Sequence, residues 1–212
     1  MNGCSGKRKG QVANDSLRKV VAQYIKEHRE KAACELCHYA IQRNLADAVK
    51  KAALCVRPNG KRHGHQRRLT EYCLTQANAR LQKRLNALGR ATTFERLHDL
   101  VEAEIKPLRG IGDLTVYDVA HRIGAFRRLE PRIVYLHAGT LAGARALGIR
   151  CRSRKLDMKQ LPREFHVLRP YEAEDCLCIY KGRIEAIVKR RGGARSKVAQ
   201  RSPLNVAAFR HP

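Results

Sequence analysis

The stretch Leu108-Arg109-Gly110-Ile111-Gly112-Asp113-Leu114-Thr115-Val116 separates two segments with helical patterns. Glycine adopts positive φ at little cost, so two glycines around one hydrophobic residue predict a tight turn between helices. A helix that begins after such a turn leaves its first backbone N–H groups unpaired, and these groups attract an anion such as a phosphate. The residues that we expect to hold the phosphate are Gly110, Ile111, Gly112 and Thr115.

Apolar residues at helical spacing flank this bend on both sides. Before the bend, Thr92-Thr93-Phe94-Glu95 has the pattern of a capping box that starts a helix, and Pro107 ends that helix. After the bend, apolar residues from Leu114 to Phe126 continue at a roughly helical period. We therefore predict two helices joined by a tight turn over residues 93–127.

The composition of the chain favours helices throughout. Trp is absent and aromatic residues make up only 5% of the chain, so aliphatic residues and alanine must build the core. These residue types favour helices over sheets, and we expect an all-α helical bundle. The predicted parts are a disordered basic N-terminus over residues 1–14, a single all-helical domain over 15–188, and a flexible basic C-terminal tail over 189–212.

Within the predicted domain, one helix is expected from a cap at Asp15 or Ser16 to about Glu35. Further helical patterns cover about residues 37–56, 69–88, 138–147 and 160–188. Gly and Ala recur at every third or fourth position of residues 138–147. Because small residues let two helices approach closely, we expect this helix in the middle of the bundle.

The bend resembles the helix-hairpin-helix family, whose hairpin typically reads hydrophobe-x-Gly-hydrophobe-Gly-x-x-Thr. The five residues that match are Leu108, Gly110, Ile111, Gly112 and Thr115, while Val116 stands where the family usually has a small residue. The resemblance implies that the protein binds the DNA backbone without reading its sequence.

Residues 131–148 carry a second resemblance, to base-excision DNA glycosylases built on the helix-hairpin-helix fold. In those enzymes the hairpin is followed by a segment similar to Val-Asp-Thr-His-Val-x-Arg-x-x-x-Arg-Leu-Gly. This chain has Val134-Tyr135-Leu136-His137-Ala138 and then Arg145-Ala146-Leu147-Gly148. The resemblance implies a glycosylase-like fold, a role in DNA repair, and Tyr135 and His137 as candidate catalytic residues.

Two positions depart from the glycosylase pattern. Tyr135 stands where the family has an Asp, and Leu114 stands near the position of the Schiff-base Lys of bifunctional members. An oxocarbenium-like transition state needs nearby negative charge, which a neutral phenol does not supply. The sequence therefore leaves two options: a DNA-binding protein, or an atypical glycosylase or lyase acting on a modified base with a carboxylate from elsewhere in the chain.

The charge balance favours a polyanionic partner. The chain has 44 Lys and Arg residues against 19 Asp and Glu residues, a formal net charge of +25. Such an excess attracts nucleic acid non-specifically. Double-stranded DNA is the expected partner, and RNA or a ribosome is the alternative that the same charge allows.

The most basic internal loop covers residues 57–68, with five cations and no acid. Its cations can neutralise phosphates, and its glutamine could reach base edges. The residues of this loop that we expect to bind nucleic acid are Lys61, Arg62, Gln66, Arg67 and Arg68.

A membrane surface is the other common polyanion. The chain has no run of about 18 apolar residues, and its first residues do not resemble a signal peptide. We therefore expect no membrane association and a cytoplasmic location, associated with the nucleoid if the source is bacterial.

The eight Cys residues are irregularly spaced. Thiolates and imidazoles can close a tetrahedral zinc site, and the ligand set that the sequence offers is Cys34, Cys37, Cys55 and His63. However, no second Cys-x-x-Cys follows the first. We therefore predict no metal and no cofactor, with this set as the alternative.

Overall fold

The computed structural model describes the backbone of residues 16–199 and the side chains of residues 16–190. Within this range the chain is mostly helical, with one short two-stranded sheet. The helices are α1 (Leu17–Tyr24), α2 (Glu30–Ala40), α3 (Leu45–Ala53), α4 (Glu71–Gln82), α5 (Leu85–Arg90), α6 (Phe94–Ile105), α7 (Asp113–Arg127), α8 (Ala138–Ala146) and α9 (Pro170–Ala199). The strands are β1 (Val134–Tyr135) and β2 (Lys155–Leu156).

The first helix begins where the sequence predicts but ends later. The Ser16 side chain caps α1 by accepting a hydrogen bond from the backbone N–H of Lys19. A single π-helical segment, Ile25–Arg29, joins α1 directly to α2, which continues to Ala40. The chain therefore passes the predicted break near Leu36 without leaving the helix. It turns only before Asn44, whose side chain caps α3.

Most of α3 to α7 packs around one hydrophobic cluster. Its fully buried members include Leu74, Leu81, Leu97, Ile105 and Ile123. The side chain of Thr93 caps α6 by accepting from the N–H of Arg96, so α6 starts at Phe94, one residue later than the capping box over Thr92 to Glu95 predicts. Glu95 is therefore the second residue of the helix and completes no capping box, and its carboxylate accepts from the backbone N–H of Arg132.

A second hydrophobic cluster lies between α1, α8 and α9 and includes Val20, Tyr24, Phe165, Leu177 and Ile184. The prediction that the small-residue helix packs closely on a neighbour is confirmed. Gly143 of α8 sits so close to α9 that an added Cβ would overlap the backbone carbonyl of Leu177.

The small sheet, which composition did not predict, lies between the two clusters. Val134 pairs with Leu156 and Tyr135 with Lys155 in antiparallel register. Side chains alternate across a strand, so Val134 joins the second cluster and Tyr135 joins the first. The strand thereby sets the direction of the Tyr135 side chain.

Helix α9 continues to Ala199, so the first part of the segment predicted as a flexible tail, from residue 189, is helical. The rest of that tail and the predicted disordered N-terminus lie outside the described residues. In the part of the chain that the structure describes, no helix combines the length and the apolar character that crossing a membrane requires.

Candidate nucleic-acid interface and adjoining cavities

The hairpin bend lies between α6 and α7, as the sequence predicts. Gly110 has φ +94°, a conformation that favours glycine. Gly112 is extended, with φ −94°, and is the N-cap residue of α7, so only one of the two glycines uses positive φ. Both glycines are exposed, while Ile111 between them is buried in the first cluster. The Ile111 N–H donates to the carbonyl of Leu108 at 3.1 Å, so it is not free for a phosphate as the sequence predicts, and only the backbone of the two glycines remains at the surface.

The side chains in the first turn of α7 are less accessible to a partner than the sequence suggests. The Thr115 side chain is buried, so it faces the interior and not the surface of the bend. Asp113 pairs with Lys106 across the bend and lies 3.9 Å from Arg154. The hydrogen bond from Lys106 is the main reason that the pKa of Asp113 is lowered, with burial acting in the opposite direction.

Tertiary packing brings the end of the basic loop and the start of α4 against the bend. The Cys73 thiol donates to the backbone carbonyl of Arg109 at 3.4 Å, and the Leu69 side chain lies directly beneath Gly110. Between them is an open groove of about 450 Å³, which we call the hairpin groove. It is lined by Arg68, Leu69, Thr70, Tyr72, Cys73, Gln76, Leu108, Arg109 and Gly110.

The five loop residues predicted to bind nucleic acid divide into two groups. Lys61, Arg67 and Arg68 are exposed and free to meet a partner. Arg62 instead donates to the backbone carbonyl of Leu69 at 2.6 Å, which fixes the end of the loop. Gln66 is fully buried, so the prediction that it could reach base edges is wrong.

The alternative zinc ligands do not converge. Cys34 and Cys37 are exposed, whereas Cys55 is buried. The His63 ring lies 2.8 Å from the Tyr39 hydroxyl. Among the described residues, no three of the proposed ligands bring donor atoms within range of one metal ion.

A cavity of about 120 Å³ joins the predicted catalytic residues to the start of α7. We call it the tyrosine cavity. It is lined by His98, Glu102, Asp113, Val116, Tyr117, Tyr135, Leu136, His137, Arg154 and Lys155. Two carboxylates and two cations therefore lie in the wall that holds Tyr135 and His137, although sequence reasoning named no acid there.

Tyr135 offers a buried phenol to the cavity. Its hydroxyl has no hydrogen-bond partner among the described residues. Burial raises the pKa of Tyr135, so the phenol stays protonated at neutral pH. Its ring lies 5.2 Å from that of Tyr117 and 4.6 Å from that of His98. The phenol is thus held by ring packing and not by a hydrogen bond within the described residues.

His137 is held by a carboxylate that sequence reasoning missed. Its Nε2 atom lies 2.7 Å from Glu174 Oε1, without the alignment of a linear hydrogen bond. The Thr140 hydroxyl donates to the same oxygen at 2.6 Å. Burial acts to lower the pKa of His137, but Glu174 outweighs it, and the pKa lies above its ordinary value. The arrangement is suited to holding and moving a proton.

A second cavity, of about 230 Å³, lies on the other side of Tyr117. We call it the acidic cavity. It is lined by His28, Lys31, Ala32, Glu35, Leu36, Tyr117, Asp118, His121, Arg122, Tyr171, Glu174, Asp175 and Ile179. Tyr117 and Glu174 thus connect the two cavities, because Tyr117 lines both and Glu174 reaches His137 from the second.

Several ionisable side chains that line the acidic cavity are buried and interact with one another. Burial, together with the neighbouring Glu174, raises the pKa of Asp175 to about 8. Asp118 pairs with Arg122 at 3.3 Å and accepts from Gln66 at 2.6 Å. The Arg122 side chain is buried and that of Asp118 is mostly buried, so this pair does not lie on the surface. Clusters of buried ionisable groups around a cavity are typical of functional sites.

Comparison of the chain with protein-family models, with curated proteins and with solved structures found no match. The resemblance to helix-hairpin-helix proteins therefore rests on the motif and its geometry.

Proposed function

We propose that this protein binds double-stranded DNA through the sugar–phosphate backbone, using the hairpin bend and the basic residues beside it. The main support for the proposal is that Arg68, Arg109 and the exposed backbone of Gly110 line one groove, the hairpin groove. These cations are 41 residues apart in the sequence, yet they share one surface. Cations beside unpaired backbone N–H groups are the features that hold phosphates.

Gly112 supports the same conclusion by a different argument. Its φ of −94° is open to any residue, and an added Cβ would meet nothing within 4 Å. Neither backbone conformation nor packing within the protein therefore requires glycine at this position. A glycine that the fold does not need is explained if a partner approaches the backbone closely.

Binding measurements with charge variants test this proposal. We expect Arg68→Ala/Arg109→Ala to weaken binding to duplex DNA roughly tenfold, equally for unrelated sequences, and to reduce the salt dependence by about two phosphate contacts. Fluorescence anisotropy over a salt series would measure both quantities. The matched control is Arg18→Ala/Lys19→Ala, which removes two exposed cations from α1, a helix that packs in the second cluster.

The control decides between a site and a diffuse charge effect. If both double variants weaken binding equally, net charge alone attracts DNA and the proposed interface is wrong. Gly112→Ala adds a test without a change of charge: it should weaken binding while costing only about 0.5–1 kcal/mol of stability, because alanine is a poorer N-cap than glycine. Tighter binding to RNA than to duplex DNA at equal salt would favour the RNA-associated alternative.

A second candidate function is that of an atypical DNA glycosylase, favoured by the composition of the tyrosine cavity. The carboxylate that the family motif places at position 135 is absent, but Glu102 and Asp113 line the same cavity. His137, held by Glu174, could transfer a proton to or from a base, and negative charge from these carboxylates could stabilise an oxocarbenium-like state. A base would enter by flipping out of the duplex.

Incubation with duplexes that carry damaged or modified bases, followed by detection of abasic sites, separates this candidate from binding alone. We expect His137→Ala to lose product while retaining DNA binding. If no duplex in a broad set yields abasic sites with the unaltered protein, the binding function stands without the chemistry.

A further inference from the structure

His98 has a buried ring nitrogen that nothing in the protein satisfies. The residue is 7% exposed, and its Nδ1 atom has no hydrogen-bond partner among the described residues. Buried polar atoms in folded proteins are normally paired, so an unpaired one needs an explanation. The ring is packed between Phe94 and Tyr135, which holds it in place.

Two carboxylates face this nitrogen. Asp99 Oδ1 and Glu102 Oε2 each lie 3.9 Å from His98 Nδ1. The three donor atoms all lie within 4.8 Å of one another. A separation of 3.9 Å is too long for a hydrogen bond, and a small rotation of the exposed carboxylates would bring the oxygens to the roughly 3.4 Å that separates two donors about 2.1 Å from one tetrahedral ion.

No cationic side chain of the described residues pairs directly with the two carboxylates, although Arg154 and Lys155 line the same cavity as Glu102. This is unexpected in a chain in which basic residues outnumber acidic ones by 44 to 19. Both carboxylates are about half exposed, so they can rotate toward an incoming cation.

We propose that His98, Asp99 and Glu102 form a binding site for a divalent transition-metal ion. The helix supplies part of the arrangement, because Glu102 lies four residues after His98 and three after Asp99, spacings at which side chains on a helix are neighbours. One imidazole and two carboxylates are a mixed donor set that suits Mn²⁺ or Zn²⁺ more than Ca²⁺. Three ligands leave further positions open, and His98 and Glu102 also line the tyrosine cavity. The site is independent of the proposed DNA binding.

Mn²⁺ is the appropriate probe, because the exposed thiols of Cys34 and Cys37 would compete for Zn²⁺. We expect one tight Mn²⁺ site per chain by electron paramagnetic resonance. In NMR spectra, substoichiometric Mn²⁺ should broaden the imidazole signals of His98 before those of the other histidines.

Asp99→Asn/Glu102→Gln is the test variant, since both changes are at exposed side chains and should leave the fold intact. We expect it to weaken Mn²⁺ binding by at least roughly tenfold, because even losing an outer-shell partner costs that much. The control Glu185→Gln removes an exposed carboxylate from α9, far along the chain. Equal affinity in both variants, or no tight site in the unaltered protein, would overturn the proposal.

Discussion

Replacing Gly143 with alanine should destabilise the protein by about 3 kcal/mol. A Cβ at this position would overlap the carbonyl oxygen of Leu177 and lie 2.8 Å from its carbonyl carbon. Both are backbone atoms of α9, so no change of rotamer can relieve the overlap and the two helices must move apart. The higher helix propensity of alanine offsets only about 1 kcal/mol. Chemical denaturation would measure the loss.

Gly182→Ala is the matched control, because Gly182 also lies inside a helix but has nothing within 4 Å of an added Cβ. That variant should gain about 0.5–1 kcal/mol from helix propensity alone. The two substitutions are chemically identical, yet they should change the free energy of unfolding in opposite directions. If Gly143→Ala is neutral, α8 and α9 do not pack as closely as described.

Replacing Glu174 with alanine should cost about 3 kcal/mol below pH 6.5, because it removes one partner of a buried ion pair. The side chains of His137 and Glu174 are each only 6% exposed, so water cannot substitute for the lost carboxylate. The Thr140 hydroxyl also loses its acceptor. In the variant, burial is the largest remaining influence on His137 and only the charges of Asp118 and Asp175 act against it, so its pKa should fall, which NMR titration would detect.

The pH dependence of this effect has a defined sign. The pKa of His137 is raised in the folded state, so its pairing with Glu174 stabilises the protein fully below about pH 6.5. That contribution is lost as the pH rises through the folded-state pKa. The difference in unfolding free energy between the unaltered protein and Glu174→Ala should therefore narrow in alkaline solution.

Glu185→Ala provides the control on the same helix. Glu185 pairs with Lys189 at the surface, and an exposed pair of this spacing contributes only about 0.3–0.5 kcal/mol. A loss at Glu174 no greater than at Glu185, or a constant loss across the pH range, would contradict the role assigned to the His137 pair.

Helix α7 connects the proposed binding surface to the two cavities. It begins at the hairpin bend with Asp113. Tyr117 and Asp118 lie about one turn later, and Arg122 lies about one turn beyond them. Asp113 and Tyr117 line the tyrosine cavity, while Asp118 and Arg122 line the acidic cavity. Under the proposed function, DNA held at the bend would lie near the end of α7 that leads to the tyrosine cavity.

Local sequence was sufficient to predict the helical class, the two helices and the turn over residues 93–127, and the cap of α1 at Ser16. Caps, glycine turns and apolar periodicity act over one or two helical turns, so their energetic preferences are visible in short segments. The close contact of residues 138–147 with a neighbour was predictable for a similar reason, since small side chains permit it wherever the partner lies.

Only the tertiary structure decided which of the suggested residues are exposed. Lys61 and Gln66 lie in one loop of similar polarity, yet Lys61 is exposed and Gln66 binds Asp118, 52 residues further along. Glu174 contacts His137, which lies 37 residues earlier in the sequence. The carboxylates of Asp99 and Glu102 both face Nδ1 of His98, whose ring packs against Tyr135. Burial and long-range pairing depend on how distant elements pack. A sequence pattern therefore identifies groups able to bind or react, while packing determines which of them meet.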